Sequence, residues 1–182
     1  MRKRDATAAG GELEMNREYY ICWYRLNQRD LYLIWFSTDK SDGVFVDENG
    51  VVPSFEDLTN LQNYGEKLGI YLDIEKPNLH NLDLVENWLS DNKPEIVDYN
   101  PFLEVWNLFD DISISTNGNF DSDRKLTKKI YNKIFWGCNI SAVTPEGKSY
   151  EPIWTKKELK IIRETLSFGF QMFKEKVREQ KK

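Results

Sequence analysis

His80, in the segment PNLHN, is the one histidine in 182 residues, and Cys22 and Cys138 are the two cysteines. A general base or a zinc site needs companions at recognisable spacing, and neither cysteine falls in a CxxC or a Cys/His cluster. These three residues are therefore expected to be structural. Carboxylates are the other chemical candidates. Asp110 and Asp111 are followed by Asp121 and Asp123, a set that could serve a divalent cation or acid/base chemistry. A calcium loop opening at Asp121 would need a bidentate Glu at its twelfth position, where the chain has Asn132, so helix capping is the expected duty of Asp121 or Asp123. No GxSxG, HExxH, GxxxxGK[ST] or GxGxxG sequence occurs. The chemistry points to binding rather than catalysis, with no cofactor and no metal expected.

Charge sharpens that expectation. The formal net charge of -5 conceals an uneven distribution: residues 1–55 carry 7 basic and 9 acidic side chains, residues 56–123 carry 3 and 15, and residues 124–182 carry 15 and 6. A middle segment this acidic repels phosphate backbones and attracts cationic surfaces, which favours a basic protein partner over nucleic acid. Basic residues alternate with aromatics in RKLTKKIYNKIFW, a texture shared with nucleic-acid sites. There, however, Leu126, Ile130, Ile134 and Phe135 recur at helical spacing, so the lysines are expected on an ordinary solvated face. No apolar run approaches the length of a membrane span.

The elements that must position these residues are legible in outline. Residues 17–26 (REYYICWYRL) and 31–37 (LYLIWFS) are rich in β-branched and aromatic side chains around a turn at Asn27 to Asp30, which predicts a hairpin. GVFVD (43–47), the turn Glu48-Asn49-Gly50 and Val51-Val52 extend it into an antiparallel meander. Ser54 is a candidate N-cap for a helix over 55–68 carrying Leu58, Leu61, Tyr64 and Leu68, ended by Gly69, and IYLDI (70–74) reads as a short strand. Beyond Pro77 the pattern is helical. Leu82, Val85, Trp88 and Leu89 make one stripe, and Phe102, Val105, Trp106 and Phe109 make another after Pro101. A basic helix spans 124–136, and Thr155 caps a long amphipathic helix running to about Arg178, with a fraying end KEKVREQKK. Of the six tryptophans, Trp154, beside Pro152, is the one expected to be exposed.

The fold class is thus α+β: an N-terminal antiparallel β-meander with a packed helix, then a mainly helical C-terminal half. Residues 1–14 read as a flexible leader. Residues 15–182 read as one compact domain, divisible into a β-rich lobe (15–76) and a helical lobe (77–182).

From Met15 onward, and most clearly in WNLFDDIS, NFDSDRKLTKKIYNKIFWG and TPEGKSYEPIWTKKELKIIRE, the chain resembles bacterial immunity proteins of contact-dependent growth inhibition and related polymorphic toxin systems. The resemblance implies a cytoplasmic protein that binds the toxic C-terminal domain of a delivered effector, often a nuclease, and covers its active site, touching neither nucleic acid nor membrane. It assigns no contact residue. The charge pattern supplies them: Asp83, Glu86, Asp91, Glu95, Asp98, Tyr99, Asp110 and Asp111 are the expected partner-binding residues, their carboxylates taking the place of phosphate in a basic groove. Two other classes remain open at this point, an adaptor or regulatory ligand-binding domain and an enzyme with a carboxylate site drawn from Asp110, Asp111, Asp121, Asp123 and His80.

Overall fold

The structure is a computed structural model that describes residues 17–73, 77–91, 96, 98–120 and 124–180. The predicted hairpin is its backbone. β1 (Glu18–Leu26) and β2 (Arg29–Ser37) pair antiparallel over nine residues each, from Glu18 opposite Ser37 to Leu26 opposite Arg29. The turn is two residues long. Asn27 and Gln28 both sit at positive φ (54° and 59°), the left-handed pair whose twist matches that of the strands they join.

Both faces of this hairpin are covered, which explains why the strands read as nearly continuous apolar runs. Alternation sends Cys22, Tyr24, Leu26, Leu31 and Leu33 to one face and Ile21 and Ile34 to the other. β3 (Asp42–Val44) extends the sheet beyond β2 in antiparallel fashion. On the opposite edge β5 (Leu72–Asp73) and β6 (Leu79–Asn81) both run parallel to β1.

The meander expectation fails at Val51-Val52. β4 (Val52–Ser54) leaves the sheet and pairs, in parallel, with β7 (Val177–Glu179). Phe55 alone returns to the sheet, exchanging backbone hydrogen bonds with Tyr32 at 2.9 and 2.8 Å. The tail is therefore a strand: the C-terminal helix stops at Lys176, and β7 is clamped by Arg29, whose guanidinium donates to Glu179 at 2.7 Å and also to Glu56. Local periodicity predicts continued helix there, and a ladder with a segment more than 120 residues earlier overrides it.

Ser54 does not cap α1 (Leu58–Lys67). It is buried in β4 with its hydroxyl 2.6 Å from the Tyr24 hydroxyl, and Asp57 caps instead, accepting from the Asn60 N–H at 2.8 Å. The helix cannot begin until Phe55 has made its bridge. Gly69, at φ +70°, ends it. Leu61 and Phe55 pack with Ile21 and Ile34 beneath α1, while Leu58 and Leu68 remain exposed.

α2 (Leu82–Ser90), α3 (Asn100–Ser115), α4 (Arg124–Gly137) and α5 (Lys156–Lys176) gather on the other face of the sheet. Phe109 of α3 is at the centre, fully buried, with its ring 5.7 Å from Phe120, 5.1 Å from Phe170 and 5.9 Å from Phe173. The first two are edge-on pairs, which contribute about 1 kcal/mol each beyond area burial. α5 approaches so closely because residue 169 is glycine: a Cβ there would lie 2.2 Å from the Phe109 ring. Thr155 caps α5 as the sequence predicts, and Glu158 completes a full capping box with it. One continuous core joins Tyr24 and Leu33 of the sheet to Val85, Phe109, Ile134 and Phe173 of the helices, so the two halves of the chain share a single interior.

On α4 the inward set differs from expectation. Ile130 and Ile134 are buried, but Leu126 is exposed and Thr127 takes the buried place, because the helix is rotated by part of a turn relative to the predicted stripe. Trp136 is the exposed tryptophan, whereas Trp154 is half-buried, donating its indole N–H to the Tyr99 hydroxyl at 3.1 Å. Neither Cys22 nor Cys138 is in a disulfide.

Candidate functional site

The edge beside β1 is split. β5 pairs with Tyr19 and Tyr20, β6 pairs with Trp23 to Arg25, and between them Ile21 and Cys22 have no strand partner on that side among the described residues. A cleft of about 650 Å³ reaches the sheet at this gap. Its floor is Ile21 and Cys22, and its wall is Tyr20 and Trp35, cross-strand neighbours whose rings lie 5.5 Å apart. α3 supplies the facing side with Asn107, Leu108, Asp110 and Asp111. Asp42 of β3, Asp73 of β5 and the segment Pro77, Asn78 and His80 complete the rim.

Four carboxylates on three elements therefore surround one cavity, and no lysine or arginine among the described residues lines it. Asp111 is half-buried. The Trp35 indole N–H donates to its Oδ2 at 2.9 Å. Burial nonetheless raises its pKa to about 6, and the nearby charges of Asp42 and Asp110 push in the same direction against the indole hydrogen bond.

The nucleophile and base candidates meet at the floor of the same cleft. The Cys22 sulfur lies 3.8 Å from His80 Nδ1, and that nitrogen is also 3.2 Å from the Trp23 carbonyl oxygen. His80 is a strand residue of β6 and not the loop residue its flanks suggest. Burial lowers its pKa, opposed by backbone hydrogen bonds with Trp23 and Asn78, and burial raises the Cys22 thiol strongly, with Asp111 adding to the rise. A thiol held protonated beside a neutral imidazole is a packing pair, not an activated nucleophile.

The eight expected partner-binding residues separate into distinct places. Asp110 and Asp111 line the cleft. Asp83, in the first turn of α2, accepts the backbone N–H groups of Asn27 and Gln28 at 2.7 and 2.8 Å and so braces the hairpin turn. Glu86 accepts from Lys174 of α5 at 2.7 Å. Asp91 is the C-cap of α2, and Asp98 accepts from the Asn100 N–H at 3.0 Å ahead of α3. Tyr99 is half-buried against Gly137 and Trp154. Glu95 lies outside the described residues, as do Asp121 and Asp123 of the alternative carboxylate site.

Sequence reasoning missed Asp42, Asp73, Tyr20 and Trp35. One signal for the site was present: Asn107, Asp110 and Asp111 fall at i, i+3 and i+4 and so share a polar stripe of the helix. No three His, Cys, Asp or Glu side chains among the described residues come together at metal-ligand spacing. The cleft carboxylates ring a volume instead of converging on a point, an arrangement suited to an extended cationic group. No helix among the described residues is long and apolar enough to cross a membrane.

No protein-family model matches the chain, and no curated protein matches its sequence. Among solved structures, the C-terminal domain of SatS, determined in complex with bromine, is similar at a TM-score of 0.58 and 12% identity, over 89% of this chain and 94% of that one. At that identity the likeness is one of fold alone, and it extends over nearly the whole of both chains.

Proposed function

We propose that the protein is a cytoplasmic immunity protein that neutralises a cognate toxin domain, a nuclease by the resemblance noted above, by docking a cationic element of that domain in the acidic cleft. The observation that carries the reading is the cavity between the split sheet edge and α3, whose lining includes Asp42, Asp73, Asp110 and Asp111. A nuclease surface made to bind phosphate supplies the complementary charge, and occupying it excludes the nucleic acid both sterically and electrostatically. The inert Cys22–His80 pair supports binding over nucleophilic catalysis.

Co-expression with the toxin domain encoded immediately upstream of the gene tests the proposal. Rescue of growth together with co-purification of a stable complex is the expected result, with an association rate that falls steeply as salt is raised. Neither rescue nor complex would reject it.

A second reading, a regulatory domain for a small cationic ligand, is favoured by the cleft volume of about 650 Å³, which falls in the range of small-molecule sites. Thermal stabilisation by a small amine or guanidine, with no toxin partner, would shift the weight to it.

A further inference from the structure

We infer that the outer face of α4, together with the connector that follows it, docks on an anionic membrane surface. This does not rest on the toxin-binding role, since none of the residues that carry it lines the acidic cleft. It departs from the resemblance, which implies no membrane contact.

The stretch RKLTKKIYNKIFW supplies the first observation. Ile130 and Ile134 are buried, whereas Lys125, Lys128, Lys129, Asn132 and Trp136 are all exposed. At helical spacing these five fall within about a third of the circumference, opposite the buried pair. α4 carries no carboxylate, and Lys125, Lys128 and Lys129 have no ion-pair partner among the described residues. Lys133 differs, its charge being taken up by Glu158 at 2.6 Å. Residues 124–160 hold nine basic and three acidic side chains, so the sequence nearby does not cancel the face.

The second observation is apolar. Among the described residues twelve large hydrophobic side chains are exposed, and five of them, Trp136, Ile140, Val143, Tyr150 and Ile153, fall at the end of α4 and in its connector. Single exposed apolar residues are ordinary in a folded protein, but a concentration of them marks a contact surface. Hydrogen bonds hold this one in place. Asn139 donates to the Tyr150 carbonyl at 3.1 Å and accepts from the Tyr150 N–H at 2.7 Å, and Lys133 donates to the Ile153 carbonyl at 3.0 Å. The Val143 N–H closes a turn on the Ile140 carbonyl at 3.0 Å. Trp154 hydrogen-bonds Tyr99, while its neighbour Ile153 is 85% exposed.

Side-chain chemistry selects the occupant. Nucleic-acid bases stack on aromatic rings, and Ile140, Val143 and Ile153 offer no such surface. Protein interfaces are enriched in arginine and depleted in lysine, the reverse of this face. A bilayer surface matches the whole set. Aliphatic side chains enter the acyl boundary, Trp136 and Tyr150 suit the headgroup level, and lysines keep their ammonium groups among lipid phosphates. No helix among the described residues can cross a membrane, so the contact is peripheral.

The test uses the intact chain with vesicles of phosphatidylcholine alone and of phosphatidylcholine mixed with phosphatidylglycerol. Co-sedimentation with the mixed vesicles only, weakened as salt is raised, is the expected result. Lipids brominated in their acyl chains should quench tryptophan fluorescence on the mixed vesicles, a measurement that needs no variant, and Trp136→Phe should remove the quenching. Lys125→Gln, Lys128→Gln and Lys129→Gln together should weaken binding about a hundredfold, at roughly fivefold per lysine. Ile153→Ser should weaken it about tenfold with the melting temperature unchanged. Equal binding to both kinds of vesicle, binding to neither, or binding that these substitutions leave intact overturns the inference. A single-stranded oligonucleotide that binds where vesicles do not, indifferent to Ile153→Ser, would overturn it in favour of nucleic acid.

Discussion

Asp111 shows most directly how a cleft residue can cost its own fold. Its carboxyl titrates near 6 in the folded chain against an ordinary value of 3.8. Because the folded pKa is raised, its contribution to stability is greatest below pH 3.8 and is lost as the pH rises through 6. Asp111→Asn keeps an oxygen for the Trp35 indole and removes the charge. Urea unfolding should therefore find the variant more stable at pH 7 by about 2 kcal/mol, with the difference vanishing near pH 4. Stabilisation on removing a residue is what a functional, strained site predicts. Asp83 should behave in the opposite way. Its two charge-assisted bonds to the Asn27 and Gln28 N–H groups hold the hairpin turn, so Asp83→Ala should lower stability by about 1–2 kcal/mol. That loss, measured in the free protein by the same unfolding assay, would separate a brace from a partner contact.

The packing of α5 against α3 depends on the absence of a side chain at Gly169. An alanine there would drive its Cβ into Phe109, a ring that is fully buried and hemmed by Phe120, Phe170 and Phe173. Helix propensity alone would make Gly169→Ala stabilising by up to about 1 kcal/mol. Overpacking is the larger effect, and calorimetry should show a net loss of about 2–3 kcal/mol. A variant as stable as the parent would mean that α5 sits further from α3 than the structure places it. Because Asp110 and Asp111 follow Phe109 directly, the same substitution should also disturb the cleft, visible as a shift of the Trp35 indole resonance.

At the scale of the molecule, the chain is closed by its end. β7 pairs with β4, Gln180 donates to the Ser54 carbonyl at 2.8 Å, and Arg29 joins the hairpin to both Glu56 and Glu179. Ending the chain after Lys176 would expose the buried Val52 and leave β4 without its ladder. A fall in melting temperature of roughly 4–8 °C is expected, corresponding to about 2 kcal/mol for a protein of this size. If the tail were only a fraying helix end, truncation would leave the melting temperature unchanged.

Patterns that act over one turn of helix or two residues of strand were decided by sequence alone. The hairpin follows from two β-branched and aromatic runs flanking a turn within Asn27 to Asp30, the stripe Phe102, Val105, Trp106 and Phe109 specifies the buried face of α3, and Thr155 marks the start of α5. The polar set Asn107, Asp110 and Asp111 was likewise present in the spacing, so half of the cleft's carboxylates were candidates from residue type and position. What the tertiary structure decided is everything that joins distant segments. β4 finds β7 and not β3, because a ladder is satisfied by whichever unpaired backbone the fold delivers, and local sequence carries no address for it. Asp42 and Asp73 are ordinary turn and edge residues until the split of β5 and β6 opens the sheet beside α3. Net charge over 56–123 likewise could not distinguish carboxylates spent inside the fold, as Asp83 and Glu86 are, from those facing a cavity. Charge is counted along the chain, but its availability depends on which donors folding brings within hydrogen-bond reach.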